Sequence, residues 1–303
     1  MCTAHILSFS PPMILLERLT KKNRAATVAS DRAPTPGAAV LFIALVAVVF
    51  FLGGWALQVL LYEPGLLVAE WLFLFVPAMA FVILGGFDPV QALFLRRPSA
   101  RQVGASVLVI AGASPLVWGI GWLQTFVLPV PWELLEGMED RVTAETATRL
   151  LWLLILLAVT PAICEEFVFR GVLLSGTLKL DPWRLILLNG LVFGVFHLSF
   201  DTVIRFLPTT LLGMVITWSV WRTGSIWIGV LMHFLNNGSI VLLASTPRLK
   251  EIVFDPEMSP SVWFVFISVM IFSTGVRLLK SVSAPPVFEL EATGPVSLSP
   301  EAT

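Results

Sequence analysis

The stretch TRLLWLLILLAVTPAICEEFVFRGVLLS, residues 148–175, decides the fold class of this 303-residue chain. It is long enough to cross a bilayer, because about 20 predominantly apolar residues span a hydrocarbon core of about 30 Å. Its charged residues are Arg149 near the beginning and Glu165, Glu166 and Arg170 in the second half. The stretch therefore predicts a long transmembrane helix with charged groups inside the membrane.

The composition of the whole chain agrees with a bilayer environment. Hydrophobic residues make up 57% and charged residues 13% of the chain, which is more apolar than a soluble domain of this size needs. The formal net charge is -1, so no basic excess indicates a nucleic-acid partner. Cys2 and Cys164 are too far apart and too differently placed to predict a disulfide framework or a thiolate metal site. Membrane lipids are the expected surroundings.

Eight apolar runs have the length of membrane spans, although the fifth and sixth are short. They lie near residues 38–61, 65–87, 103–128, 148–175, 184–200, 206–221, 225–246 and 261–280. The predicted fold class is an all-α, polytopic membrane helix bundle with about eight transmembrane helices.

The cations between these runs predict the orientation. Alternate segments hold Arg18, Lys21, Lys22, Arg24 and Arg32, then Arg96, Arg97 and Arg101, then Lys179 and Arg184, then Arg222, and finally Arg277 and Lys280. The opposite loops carry fewer cations and an acidic stretch, residues 133–140. The positive-inside rule then places both termini in the cytoplasm. The short loops suit a bacterial cytoplasmic (inner) membrane protein.

The expected organisation is one membrane domain with two tails. Residues 1–36 are a cytoplasmic amino-terminal tail, residues 37–147 hold the first spans and an outer loop, and residues 148–246 hold the polar motifs. Residues 247–281 contain the last span, and residues 282–303 are a Pro-, Ser- and acid-rich tail that we expect to be disordered and cytoplasmic. Within the outer loop, residues 131–147 are expected to form an interfacial segment with Trp132 as an anchor.

The first polar motif is EExxxR, formed by Glu165, Glu166 and Arg170. Glu166 and Arg170 are four residues apart, a spacing at which a carboxylate and a cation pair on a helix. Glu165 lies about 100° further around the helix and points elsewhere. One carboxylate is then neutralised while the other is available as a general base or acid. The structural alternative is an ion pair plus one Glu that extends toward the membrane interface.

The second motif is FxxxH on the fifth span, residues 193–197, which ends at His197. Gly190 and Gly194 share roughly one helix face with this histidine, so a neighbouring helix can approach the imidazole closely. The structural alternative is a His that bonds a backbone carbonyl across the bundle.

The third motif is HxxxN on the seventh span, formed by His233 and Asn237. They are one turn apart, and Gly229 precedes them on the same face. Two hydrogen-bonding side chains beside a glycine predict a polar pocket for an oxygen atom. The structural alternative is a polar ladder that joins helices.

The depths of these groups in the membrane agree. At 1.5 Å per residue, His197 lies about 20 Å and His233 about 12 Å from the cytoplasmic ends of their spans, and Glu165 about 15 Å from the cytoplasmic end of its long helix. All three side chains are therefore expected to meet at one level.

The ordered series EExxxR, FxxxH and HxxxN, on three predicted spans, resembles the CPBP family. This family comprises CAAX prenyl endopeptidases and bacteriocin-processing membrane proteases, and is also called the Abi family. The resemblance covers roughly residues 148–246, and the wording EEFVFRGVLL is close to that of the family. It implies that this segment is the catalytic membrane domain.

The resemblance also implies roles for the motif residues. Glu165 and His197 would activate a water molecule, while His233 and Asn237 would stabilise the oxyanion that forms on the scissile carbonyl. Glu166 and Arg170 would support the site or bind substrate. Members have also been described as metalloproteases, and Glu165, His197 and His233 are a familiar kind of catalytic zinc set. We favour no metal, because the HExxH spacing that places two ligands on one helix face is absent.

The expected function is an intramembrane endopeptidase that hydrolyses a peptide bond in a membrane-anchored, prenylated or amphipathic peptide or protein. One alternative is a proton-coupled transporter, because intramembrane Glu and His residues also mark ion pathways. Another is a non-catalytic membrane immunity or scaffold protein. Within the fourth span, Pro161 removes a backbone donor, which predicts a kink and an unbonded carbonyl at Leu157 that could admit water.

Overall fold

The computed structural model describes residues 33–128, 141–198, 203–254 and 259–283. More than two thirds of these residues lie in eight helices, which we number α1 to α8. Their bounds are Pro36–Leu61 (α1), Glu63–Leu84 (α2), Ala100–Thr125 (α3), Ala147–Thr177 (α4), Pro182–Phe196 (α5), Val203–Thr223 (α6), Ile226–Ala244 (α7) and Val262–Val282 (α8). Short helices at Pro89–Ala92 and Pro247–Phe254 lie in the connections. The described part of the chain has no named β-strand.

Seven of these helices are long and apolar enough to cross a membrane, and α5 is a shorter apolar helix. The all-α polytopic fold is thereby confirmed. Two predicted boundaries were wrong. The sixth span is not short, because α6 has 21 residues, and the fifth ends at Phe196 rather than near residue 200. His197 is therefore the residue that caps the end of α5 and does not lie inside a helix.

Several helices begin at residues whose side chains bond exposed backbone groups. Ser99 and Gln102 form a reciprocal capping box at the start of α3. Thr146 accepts from the backbone of Arg149 at the start of α4, and Asp181 caps α5 before Pro182. At the end of α6, Gly224 adopts a φ of 65°, a left-handed conformation that suits glycine. The hairpin connections are thus encoded locally.

The second half of α4 is the centre of the bundle. Residues 164–177 are all buried, so this segment is enclosed on every side. Helices α1, α2, α5 and α7 pack directly against it. The outer helices instead expose large apolar side chains, as expected of surfaces that face lipid; Leu52, Leu60, Val262 and Trp263 are examples.

Helix α4 is widened by two π-helical turns, at Ile155–Val159 and Phe167–Leu173. The first lies just before Pro161, which has no N–H for the regular ladder of hydrogen bonds. The second lies between Glu166 and the end of the helix and contains Arg170. The sequence analysis assumed a regular α-helix here, so the local geometry differs from the prediction. Inserted wide turns of this kind are frequent at functional sites.

The predicted tails and the interfacial segment fall largely outside the described residues. This holds for residues 1–32, for residues 129–140 with the proposed Trp132 anchor, and for residues 284–303. The domain boundaries proposed from the sequence remain predictions.

Candidate active site

The ion pair between Glu166 and Arg170 is confirmed, and both side chains are completely buried. Arg170 Nη1 lies 2.7 Å from Glu166 Oε1. Arg170 Nη2 donates to the carbonyl of Gly213 in α6 at 3.0 Å, and the guanidinium lies 4.3 Å from the ring centroid of Phe193 in α5. One arginine on α4 thereby joins three helices. A pair buried this deeply is held by its extra hydrogen bonds and by its stacking on the aromatic ring.

His233 on α7 bonds the same carboxylate. Its Nδ1 lies 2.9 Å from Glu166 Oε1, the oxygen that also accepts from Arg170. A Cβ atom on Gly229 would lie only 2.6 Å from Glu166 Oε2, so this glycine makes room for the carboxylate. The sequence predicted a pocket for an oxygen beside Gly229, and the structure fills it with an oxygen of Glu166. This arrangement orients the imidazole so that Nε2 is directed away from the ion pair.

His197 is held at the end of α5 by its own helix. Its Nδ1 lies 2.8 Å from the carbonyl oxygen of Phe193, an acceptor that requires the proton to be on Nδ1. The predicted close approach of a neighbouring helix is confirmed, because a Cβ atom on Gly190 or Gly194 would collide with Thr210 in α6. In the neutral ring, Nε2 is then an acceptor of hydrogen bonds.

Glu165 lies between the two histidines. Its Oε2 is 3.6 Å from His197 Nε2 and 4.0 Å from His233 Nε2. Both distances exceed that of a direct hydrogen bond, and polar groups at this separation are commonly bridged by water. Among the described residues, this buried oxygen has no hydrogen-bond partner. Helices α4, α5 and α7 thus bring the three motif side chains to one point, as their predicted depths required.

Asn237 lies one turn beyond His233 and contacts the backbone of α4. Its Nδ2 donates to the carbonyl of Leu157 at 3.0 Å. Leu157 is four residues before Pro161, so its carbonyl has no regular partner in the helix, as the sequence predicted. The structure gives this carbonyl an amide donor, where the sequence analysis had suggested access for water.

Two charged residues near Glu165 were missed by the sequence analysis. Glu70 on α2 is buried and its Oε2 has no hydrogen-bond partner among the described residues. It lies close enough to Glu165 to interact electrostatically, and so does Arg205 at the beginning of α6. Glu70 interrupts an otherwise apolar run, LLVAEWLFLFV at residues 66–76, and this interruption was a detectable signal.

The residues present do not form a closed metal site. Glu165, His197 and His233 are suitable ligand types for zinc, whose ligand distances are about 2.0–2.2 Å. Among the described residues, no group of three or more His, Cys, Asp or Glu side chains forms a recognised metal site. The 3.6 and 4.0 Å separations between Glu165 Oε2 and the two Nε2 atoms are slightly longer than those between ligands of one tetrahedral zinc ion. We therefore derive no chemical step through a metal.

A comparison with protein families matches this part of the chain. Residues 147–239 match the family model described as "Type II CAAX prenyl endopeptidase Rce1-like". This match supports the resemblance to the CPBP family that the three motifs indicate. The match begins at the first residue of α4 and extends just beyond Asn237, so it contains all three motifs. Searches of curated proteins and of solved structures gave no match.

The match to a family of membrane endopeptidases supports protease activity at the family level. Together with the apolar helices, it identifies the chain as an integral, multi-pass membrane protein. The family match does not extend to α1, α2, α3 or α8.

Proposed function

We propose that this protein hydrolyses a peptide bond in a membrane-anchored peptide or protein, at the point where α4, α5 and α7 meet. One observation carries the proposal: a buried carboxylate oxygen of Glu165, without a hydrogen-bond partner among the described residues, faces Nε2 of His197 and of His233. Three polar groups from three helices are expensive to bury in a bilayer unless they act on a bound molecule.

Glu165 and His197 activate the attacking water in this proposal. The water donates one O–H to Glu165 Oε2 and the other to His197 Nε2. In the neutral ring Nε2 accepts because Nδ1 donates to the carbonyl of Phe193. The water oxygen attacks the carbonyl carbon of the substrate, and Glu165 takes the proton that the water loses. When the tetrahedral intermediate collapses, the C–N bond breaks and this proton passes to the leaving amine.

His233 and Asn237 stabilise the negative oxygen of the intermediate. A ring protonated on both nitrogens donates Nδ1–H to Glu166 and Nε2–H to the oxyanion. Asn237 supplies a second N–H from its carboxamide. Donors fixed in place before the reaction stabilise developing charge strongly in a cavity of low dielectric. Glu166 and Arg170 act through His233, because they hold its ring in this orientation.

The substrate class follows from the position of the site. The site lies within the bundle, so the substrate must reach it from the membrane or its surface, which suits a prenylated or amphipathic segment. The alternating cations support a reaction on the cytoplasmic side with both termini in the cytoplasm, and we propose a bacterial inner membrane as its location. We propose a metal-free mechanism.

The test uses purified protein in proteoliposomes and a fluorogenic peptide that ends in a farnesylated CAAX sequence. We expect cleavage by the wild-type protein with or without a strong chelator. Glu165→Gln and His197→Asn should lower kcat at least about 100-fold, the usual contribution of positioned acid–base groups. Glu145→Gln is a matched control at an exposed residue outside the site, and it should retain activity.

Full cleavage by Glu165→Gln would overturn the proposed role of this carboxylate. Loss of cleavage on chelation, with recovery on adding zinc, would overturn the metal-free mechanism. The unprenylated peptide is the control for lipid recognition. Equal cleavage of both peptides would show that the protein does not recognise the prenyl group.

A further inference from the structure

A chain of side-chain hydrogen bonds leads from α3 to Asn237. Ser114 Oγ donates to Asn236 Oδ1 at 2.8 Å. Asn236 Nδ2 then donates to Asn237 Oδ1 at 3.0 Å, and Asn237 Nδ2 donates to the carbonyl of Leu157 at 3.0 Å. All four groups are partly buried, where hydrogen bonds between polar groups restrict orientation more than they do in water.

The chain has a defined direction, because its end at the carbonyl of Leu157 is chemically fixed. The carbonyl of Leu157 can only accept, so it selects the nitrogen of the Asn237 carboxamide. Asn237 Oδ1 is then the acceptor for Asn236, whose own oxygen must accept from the hydroxyl of Ser114. Pro161 creates the unbonded carbonyl at one end, and Ser114 supplies the hydroxyl at the other. A flip of either amide would place two acceptors or two donors against each other.

We infer that Ser114 and Asn236 are positioning residues that set the orientation of the Asn237 carboxamide for catalysis. This inference rests on the proposed function, in which Asn237 stabilises the oxyanion. The Asn237 nitrogen carries two N–H groups, and Leu157 takes one of them. The bonds to Asn236 and Leu157 fix the amide plane, so the direction of the second N–H is set before substrate binds. Neither Ser114 nor Asn236 belongs to the three motifs.

The experiment compares two variants that break the chain at different places. Ser114→Ala removes the donor at its beginning, and Asn236→Leu removes its central link at similar side-chain volume. We expect kcat to fall about tenfold in each with KM unchanged, because loss of one orienting hydrogen bond affects transition-state stabilisation and not substrate binding. Ser114→Thr keeps the hydroxyl and should retain activity.

Two matched controls separate positioning from general damage to the helices. Ser106 lies on α3 like Ser114, is buried, and has no hydrogen-bond partner among the described residues. Ser239 lies on α7 like Asn236 and donates to the backbone carbonyl of Asn236 at 2.7 Å, not to its carboxamide. Ser106→Ala and Ser239→Ala should leave kcat unchanged. Thermal unfolding in detergent checks that every variant is folded.

Double variants decide whether the chain acts through Asn237. Asn237→Ala alone should lower kcat about 100-fold or more, as loss of an oxyanion donor does. Adding Ser114→Ala or Asn236→Leu to Asn237→Ala should then cause no further loss, because the group that they orient is absent. A further tenfold loss in these double variants would overturn the inference.

The outcomes also separate this inference from the proposed function. Wild-type kcat in folded Ser114→Ala and Asn236→Leu, with a large loss in Asn237→Ala, would overturn the inference alone. Wild-type kcat in Asn237→Ala would overturn the oxyanion role on which both rest.

Discussion

At the scale of single residues, the site depends on the space that a glycine leaves for a neighbouring carboxylate. Gly229 lies against the buried carboxylate of Glu166, which receives hydrogen bonds from Arg170 and His233. Glu166 can hold the imidazole of His233 only if its carboxylate fits against α7 at the position of Gly229. A side chain of any other residue would displace it.

We predict that Gly229→Ala lowers both activity and stability. The new Cβ would lie 2.6 Å from Glu166 Oε2 and 2.8 Å from Val220 Cγ2. Overpacking of this kind typically costs about 1–3 kcal/mol, and the displaced carboxylate would no longer orient His233. Thermal unfolding in detergent and kcat for peptide cleavage are the measurements.

Gly238→Ala is the matched control on the same helix. A Cβ at Gly238 would lie 3.7 Å from Leu154 and 3.8 Å from Ala158, which are ordinary packing distances. We expect wild-type activity in this variant. Equal activity in both alanine variants would contradict the role of Gly229.

At the scale of helices, α4 is shaped by Pro161. The proline leaves the carbonyl of Leu157 without its regular donor, and a π-helical turn at Ile155–Val159 precedes it. This carbonyl bonds Asn237 on α7 and so connects the two helices that carry Glu165 and His233. The carbonyl that Pro161 leaves without a donor in α4 thus provides a hydrogen bond between α4 and α7.

We predict that Pro161→Ala lowers kcat without abolishing it, while thermal stability stays the same or rises. Alanine restores an N–H to the helix and removes a residue that disfavours helix interiors by about 3 kcal/mol. The restored N–H competes with Asn237 for the Leu157 carbonyl, which straightens α4 and releases the carboxamide. Pro77→Ala, inside α2, is the control for replacing a proline within a helix. Wild-type turnover in Pro161→Ala would contradict this account.

At the scale of the whole molecule, alternate connections meet at the same end of the bundle. At one end, Ile226 donates to the carbonyl of Phe94, and Ser225 Oγ donates to that of Arg96. At the other end, Gln124 Nε2 donates to the carbonyl of Ile204. These contacts join segments that the charge pattern had assigned to common sides. The orientation of the bundle in the cell remains a prediction from that pattern.

Cysteine labelling tests this orientation. Glu145 and Lys179 are exposed and lie beyond opposite ends of α4. In a Cys2→Ser background, a membrane-impermeant maleimide applied to intact spheroplasts should label Glu145→Cys and not Lys179→Cys, since the cation-rich end is predicted to be cytoplasmic. Labelling after lysis is the control for reactivity. The reverse pattern would show that the orientation is wrong.

Much of the site could be predicted from local sequence. Helical spacing alone predicts the pairing of Glu166 with Arg170, and the depth of each polar residue predicts that Glu165, His197 and His233 meet. Glu70 was not predicted as a site residue because it is the only charged residue in an apolar run, where no local partner indicates a role. Its proximity to Glu165 arises only from the packing of α2 against α4.

The sequence by itself determined that residues 148–175 are long and apolar enough to cross a membrane, that the bundle is all-α, and which polar residues are costly to bury in a bilayer. Apolar length and i, i+4 spacing are local properties, so they can be read directly along the chain. Tertiary structure alone decided which partners those residues have. Glu166 bonds His233, and Asn237 bonds Leu157 and Asn236, because these contacts join helices whose mutual rotation and tilt no local pattern encodes.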